Sequence, residues 1–243
     1  VNIFLIIGLA SFIRPIKVKH ATIKKELPIL AIITSVFAVL MLDSIFNPLT
    51  SDTFSRSDGL ILLLLFGLFV IYLVQLLFKK SNYSEEEVSK IKYNPALAII
   101  IIVVSIILII YSSDLIVSAA AEIATRLHIS EKLITMFAIV IGTSLPEMVM
   151  TVTSAKKGEF DIAIGNIIGT NIFNICIVLG LPVIIYGDVL LTGFGFVDII
   201  AVFLSSALLF LFARSEKTID KKEAIIMLVI FAIYYIFLLV EGY

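Results

Sequence analysis

The sequence predicts an all-α membrane protein assembled from two inverted copies of one unit, and three observations carry that expectation. Of its 243 residues 60% are hydrophobic and 15% charged, and the mean hydropathy of +1.15 lies far outside the range of soluble domains. Seven apolar runs are each long enough to cross about 30 Å of hydrocarbon. A short opening motif also returns far downstream in the same order, the mark of an internal duplication.

Taken in order, Val1–Ile13 is apolar, begins without Met and is too short to span, so it reads as the back half of a helix. A signal-peptide reading fails, because no basic region precedes it and no small-residue cleavage site follows. The full-length runs are Leu27–Phe46, Gly59–Phe78, Pro95–Ser118, Leu133–Ala155, Ile162–Tyr186, Leu191–Ala213 and Ala224–Val240. Between the second and third lies SNYSEEEVSKIKY at Ser81–Tyr93, whose mixed charges need no role beyond staying solvated.

Counted over alternate loops, Arg56, Arg126 and Lys132 fall on one side of the membrane and every other Lys or Arg of the 18 on the opposite side. That positive-inside bias predicts Lys-rich loops in the cytoplasm and Tyr243 outside. The membrane expected from the chain's size and short linker is a prokaryotic plasma membrane. A net charge of −1 marks no nucleic-acid surface, and the expected partner is the lipid bilayer. Cys176 is the only cysteine, so no disulfide follows.

VNIFLIIGLASFIR at Val1–Arg14 can be laid over FNICIVLGLPVIIY at Phe173–Tyr186, which pairs Asn2 with Asn174, Gly8 with Gly180 and Leu9 with Leu181 at an offset of 172. The same offset pairs Glu26 with Asp198. Allowing seven extra residues in the loop Asn47–Ser57, Asp58 and Phe66 pair with Glu223 and Phe231 at an offset of 165. The first copy's opening helix runs toward the Lys-rich side at Arg14, its mate away from it toward Asp188, so the copies are inverted across the membrane. Residues 1–80 are then the C-terminal part of the first repeat, 81–94 a cytoplasmic linker and 95–243 the second repeat. Pro95–Ile172 has no counterpart, which predicts about 78 further residues ahead of Val1. Inverted repeats with interrupted helices are the architecture of many secondary transporters, with the site near the midplane.

The stretch Gly142–Asn174, GTSLPEMVMTVTSAKKGEFDIAIGNIIGTNIFN, sets polar and acidic residues into two lipid-compatible segments. A carboxylate at bilayer depth costs about 2.5–3.5 kcal/mol on insertion scales, which singles out Glu147. Gly142 and Pro146 are expected to interrupt the first segment, and Gly165 and Gly169 to loosen the second. Thr143 and Glu147 lie four apart, as do Thr170 and Asn174, so each pair shares a helical face. Pooled hydroxyl, amide and carboxylate oxygens suit a hard cation such as Ca²⁺, which takes about six to eight ligands. With Cys176 alone and His20 and His128 near segment ends, zinc and copper sites are not expected.

Blander readings stand beside these. Glu147 after Pro146 could serve the N-terminus of a restarted helix. Gly165 and Gly169 fit small-xxx-small packing, the role preferred for them, and Asn166 and Asn171 are open to bonding either across helices or to an ion. Asp161 reads as a helix cap. Asp114, Glu122 and Asp198 lie toward segment ends and are left out of the site.

GTSLPE at Gly142–Glu147, followed by GNIIGTNIFN at Gly165–Asn174 and an apolar run, resembles the α-repeat of the sodium/calcium exchanger family, in its prokaryotic type. The resemblance spans essentially the whole chain. It implies ten transmembrane helices in two inverted halves of five, of which about seven and a half are present, from the middle of the third onward. It implies further that Glu147 is the second-repeat carboxylate for which Ca²⁺ and Na⁺ compete, with Thr143 and Ser144 supplying oxygens beside it. Thr170 stands where the family usually has Ser. Asn174 stands where several exchangers carry Asp, and Asn2 is its symmetric mate. The first repeat's own GTSLPE-like segment, with the partner carboxylate, would lie in the missing N-terminal residues.

The expected function is therefore Ca²⁺/Na⁺ antiport by alternating access, with these ions as substrates and no cofactor. Proton-coupled exchange is the nearest alternative and a cation channel a further one. An intramembrane hydrolase with Ser144 as nucleophile lacks a base in the central stretch, so no enzyme is expected.

Overall fold

Apolar segments that find no hydrogen-bond partner in lipid must satisfy their backbone internally, and helix is the way a single segment does so. The computed structural model describes residues 1–43, 52–78, 94–126, 131–191 and 195–241, and helices dominate them. They are α1 (Asn2–Ile13), α2 (Leu27–Leu40), α3 (Arg56–Phe78), α4 (Pro95–Arg126), α5 (Glu131–Lys157), α6 (Phe160–Tyr186), α7 (Phe196–Ser215) and α8 (Lys221–Glu241). Among the described residues four stretches are long and apolar enough to cross a membrane: Arg56–Leu76, Ala96–Ile116, Phe160–Tyr186 and Phe196–Ser215. Of the expected linker at 81–94, only Asn94 falls within the described residues; its Oδ1 accepts from the Ala96 amide at 3.0 Å and caps α4.

The chain divides into two compact units, Val1–Tyr72 with Glu147–Tyr243, and Leu73–Pro146. The second unit holds the end of α3, all of α4 and the first part of α5. Near its end α4 carries an ion pair between Arg126 and Glu122, 2.6 Å apart and one turn from each other.

In the first unit α2 packs along α7, α1 along α8, and α6 lies against both α1 and α2. Ile6, Ile7, Leu30, Ile33, Ile167, Ile172, Leu209 and Met227 are buried in the common core, while Leu64 of α3 is 71% exposed, as a lipid-facing leucine would be. Two short antiparallel pairs mark the ends of the bundle. β1 (Ile16–Lys17) joins β4 (Thr218–Ile219), and β2 (Thr53–Phe54) joins β3 (Val189–Leu190). Because β1 follows α1 and β4 precedes α8, the first pair gathers the end of α1 and the start of α8 at one end. Because β3 follows α6 and β2 precedes α3, the second pair gathers the end of α6 and the start of α3 at the other. The helices α1 and α6 therefore run in opposite directions, which is the inversion the repeat predicts.

The duplication extends to local geometry. A π-helical turn over Asn2–Ile7 passes into α-helix at Gly8, and a second over Asn174–Leu179 passes into α-helix at Gly180, in register with the offset of 172. At the start of α3 Asp58 Oδ2 accepts from the Ser55 amide at 2.8 Å. At the start of α8 the Asp220 amide donates to Glu223 at 3.0 Å and the Glu223 amide to Asp220 at 2.9 Å, the same capping box at the offset of 165.

Two expected boundaries move. In the run Leu191–Ala213, Leu191 lies outside helix, its amide donating to Asp52 O at 3.0 Å beside the β2–β3 pair; residues 192–194 lie outside the described residues, and the described helix starts at Phe196. The interruption expected at Gly142 and Pro146 is absent: α5 is helical throughout Glu131–Lys157 with Pro146 inside it. Proline removes one amide and leaves the carbonyl four residues earlier, that of Gly142, without its helical donor; the helix continues past that single lost bond.

Candidate ion site

The hairpin of α5 and α6 carries the central stretch, and its turn is held firmly. Gly158, at φ +85°, takes the left-handed conformation that ends α5, while the Glu159 amide reaches back to Ser154 O at 2.9 Å. Arg14, just past α1, donates to Lys156 O at 2.6 Å and stacks its guanidinium over the Phe160 ring at 5.4 Å. Lys19 pairs with Asp161 at 2.5 Å, so Asp161 forms an ion pair in the first turn of α6 rather than the expected cap.

From that turn the two helices run antiparallel within the first unit. Asn166 Nδ2 donates to Thr151 Oγ1 at 3.0 Å and makes a longer contact of 3.5 Å to Glu147 O. Asn166 thus bonds across helices, whereas Asn171 turns back onto its own helix, donating to Ile167 O at 2.7 Å.

Glu147, Gly165, Asn166, Gly169, Thr170, Phe173 and Asn174 line one cavity of about 440 Å³. Glu147 Oε2 is buried and makes no hydrogen bond with the described protein. A buried acceptor left in that state costs free energy unless a donor, a water or a cation meets it. Three of the residues singled out from sequence, Glu147, Thr170 and Asn174, are brought together here. Thr143 and Ser144 belong to the second unit, and neither they nor Asn2 of α1 is among the residues lining this cavity.

Two glycines of α6, Gly165 and Gly169, line the cavity, and a Cβ added at either would meet no described atom within 4 Å. Close helix approach occurs elsewhere, at Gly59 against Gly180. Asp198, 6% exposed, is not among the residues lining this cavity; it accepts from the Gly195 amide at 2.8 Å and from the Tyr234 hydroxyl at 2.6 Å. Among the described residues no three His, Cys, Asp or Glu converge, so the cavity offers one carboxylate with hydroxyl and amide oxygens, a donor set for hard cations.

The sequence profile described as sodium/calcium exchanger protein matches residues 1–75 and 97–240. The chain belongs to the sodium/calcium exchanger family. It is an integral membrane protein of the exchanger fold. The chain is 36% identical over 192 residues to the inner membrane protein YrbG of Escherichia coli, covering 76% of this chain and 57% of that one. It therefore spans less than two thirds of that relative's length. It is 46% identical over 63 residues to the sodium/calcium exchanger MaX1 of Methanosarcina acetivorans, covering 26% of this chain and 18% of that one. A solved structure of the sodium-calcium exchanger NCX_Mj, soaked with zero Na⁺ and Ca²⁺, matches with a TM-score of 0.76 at 27% identity, over 98% of this chain and 72% of the other.

Proposed function

We propose that the protein exchanges Ca²⁺ for Na⁺ across its membrane by alternating access, and that Glu147, Thr170 and Asn174 supply oxygens to the transported ion. The observation that carries this reading is the buried, unbonded Oε2 of Glu147, a residue that lines one cavity with Thr170 and Asn174. A bound cation stabilises a carboxylate so placed. Thr143 and Ser144, one turn before Glu147 along the sequence, and Asn2, the repeat mate of Asn174, are proposed as further donors on the sequence pattern alone.

Charge couples the two half-reactions. An empty, ionised site resists passage through an occluded state, because the carboxylate would be buried without compensation, whereas bound Ca²⁺ or Na⁺ neutralises it. The Lys-rich end then faces the cytoplasm.

The test is Ca²⁺ uptake into vesicles containing the complete gene product, driven by an opposing Na⁺ gradient. Glu147→Gln removes the charge, keeps the size, and should abolish uptake; undiminished uptake rejects Glu147 as a ligand. Replacing Na⁺ by an impermeant cation should stop transport by the unmodified protein. Uptake that persists and follows a pH gradient would assign the counter-ion to the proton instead, and single-channel currents would assign a channel.

A further inference from the structure

The contact between Asn166 and Thr151 does more than join two helices. Thr151 lies one turn beyond Glu147 on α5, and Thr170 one turn beyond Asn166 on α6. In an antiparallel pair, seating Asn166 on Thr151 therefore brings Glu147 level with Thr170. Thr151 is fully buried, and Asn166 reaches both its hydroxyl, at 3.0 Å, and the carbonyl of Glu147 itself, at 3.5 Å. The orientation of the amide follows from chemistry: a carbonyl only accepts, so the Asn166 nitrogen must face Glu147 O. Glu147 Oε2, by contrast, has no hydrogen bond to hold it. Its position is set by the backbone of the turn Glu147–Thr151, and that is the turn Asn166 grips.

We infer that Asn166, acting through Thr151 and the Glu147 carbonyl, is a positioning residue that fixes the register of α5 on α6 and so the affinity of the Glu147 site for Ca²⁺. The inference rests on the proposed ion site. One buried amide can select a helix register against slipped alternatives, and interhelical hydrogen bonds inside a membrane add little to stability. The clamp's effect therefore falls on ion affinity more than on folding. Groups that orient metal ligands without touching the metal typically change affinity about 10–100-fold when removed.

The experiment compares Asn166→Ala, Thr151→Val and Thr151→Ser in the complete gene product, measuring the Ca²⁺ concentration dependence of vesicle uptake and the rise in Tm that Ca²⁺ produces in detergent. Both Asn166→Ala and Thr151→Val should raise the KM for Ca²⁺ about tenfold, with maximal rate changed less, and weaken the Ca²⁺-induced rise in Tm. Thr151→Ser keeps the hydroxyl and should restore most of the affinity lost in Thr151→Val. In the double variant Asn166→Ala/Thr151→Val the losses should not add, since either substitution opens the same clamp. A KM within about twofold of the unmodified protein in both single variants overturns the inference, as does loss of folded protein in both while Thr151→Ser folds, which would assign a structural role. An unmodified protein that moves no Ca²⁺ and shows no Ca²⁺-induced rise in Tm counts instead against the ion site itself, and separates that failure from this one.

Discussion

Asn2–Ile7 and Asn174–Leu179 fold into the same π-helical turn, yet of the two asparagines only Asn174 lines the cavity beside Glu147. The contrast recurs along the two copies. Each places a carboxylate near the start of its next helix and a tyrosine on the helix after it. In the first copy Tyr72 makes a 3.5 Å contact with half-buried Glu26, at the limit of a hydrogen bond, while in the second Tyr234 donates to buried Asp198 at 2.6 Å. Each also brings its repeat glycine, Gly180 in the second copy and Gly8 in the first, against a neighbouring helix. Gly59 meets the backbone of Gly180, whereas Gly8 meets mainly the side chain of Leu228. Duplication has kept the path of the backbone and let the tightness of individual contacts diverge. Backbone path is shared by the copies, while side-chain partners and hydrogen-bond distances differ between them, and a hydrogen bond at 3.5 Å is much weaker than one at 2.6 Å.

The largest difference expected between the copies is at the two carboxylates. Asp198→Ala leaves the Gly195 amide and the Tyr234 hydroxyl without this acceptor inside the bundle, and should cost about 3 kcal/mol. Glu26→Ala removes one long contact on a partly exposed side chain and should cost less than about 1 kcal/mol. Thermal unfolding of the two variants in the same detergent measures the contrast. Equal losses would mean that the copies bear load alike and that the difference in distance has no energetic meaning.

A smaller difference separates the two close approaches between copies, Gly59 against Gly180 and Gly8 against Leu228. A Cβ on Gly59 would lie 2.7 Å from Gly180 O and 2.9 Å from Ile184 Cγ1, and a backbone oxygen cannot turn aside. Gly59→Ala must therefore push α3 from α6, at about 2 kcal/mol. A Cβ on Gly8 would lie 3.0 Å from Leu228 Cγ and 3.1 Å from its Cδ2, atoms of a side chain that can change rotamer, so Gly8→Ala should cost about 1 kcal/mol or less. A greater loss in Gly8→Ala than in Gly59→Ala, by the same unfolding measurement, would show that Leu228 is locked.

Much of this was legible in the sequence because the bilayer leaves so few choices. Long apolar runs have to be helices, and the paired Asn2/Asn174 and Gly8/Gly180 gave the register of the duplication because backbone path is what those positions share. Glu147 was legible because a carboxylate in such a run is costly. What stayed hidden depends on facing partners. The spacing of Gly165 and Gly169 shows that one stripe of α6 is small but not what lies opposite it, and the stripe opens on a cavity. Asn166 read as open between two roles because its partner Thr151 is fixed only by the antiparallel register of the hairpin. Pro146 suggested a broken helix, since local chemistry shows the lost hydrogen bond but not whether the remaining ones suffice.

The smallest effect on stability, and the one with the opposite sign, is expected at Gly169. No described atom lies within 4 Å of the Cβ that Gly169→Ala would add, so the substitution meets no steric resistance, and alanine in a helix is favoured over glycine by about 0.5–1 kcal/mol. Tm should stay level or rise slightly. Gly169 lines the cavity beside Thr170, where the proposed ion site lies, so if that proposal holds the added methyl should raise the KM for Ca²⁺ in vesicle uptake several-fold. Rising stability with falling affinity is a combination that close helix packing at Gly169 would not produce. A Tm lowered by several degrees would return this glycine to the packing role that its spacing first suggested, and would make it resemble Gly59 after all.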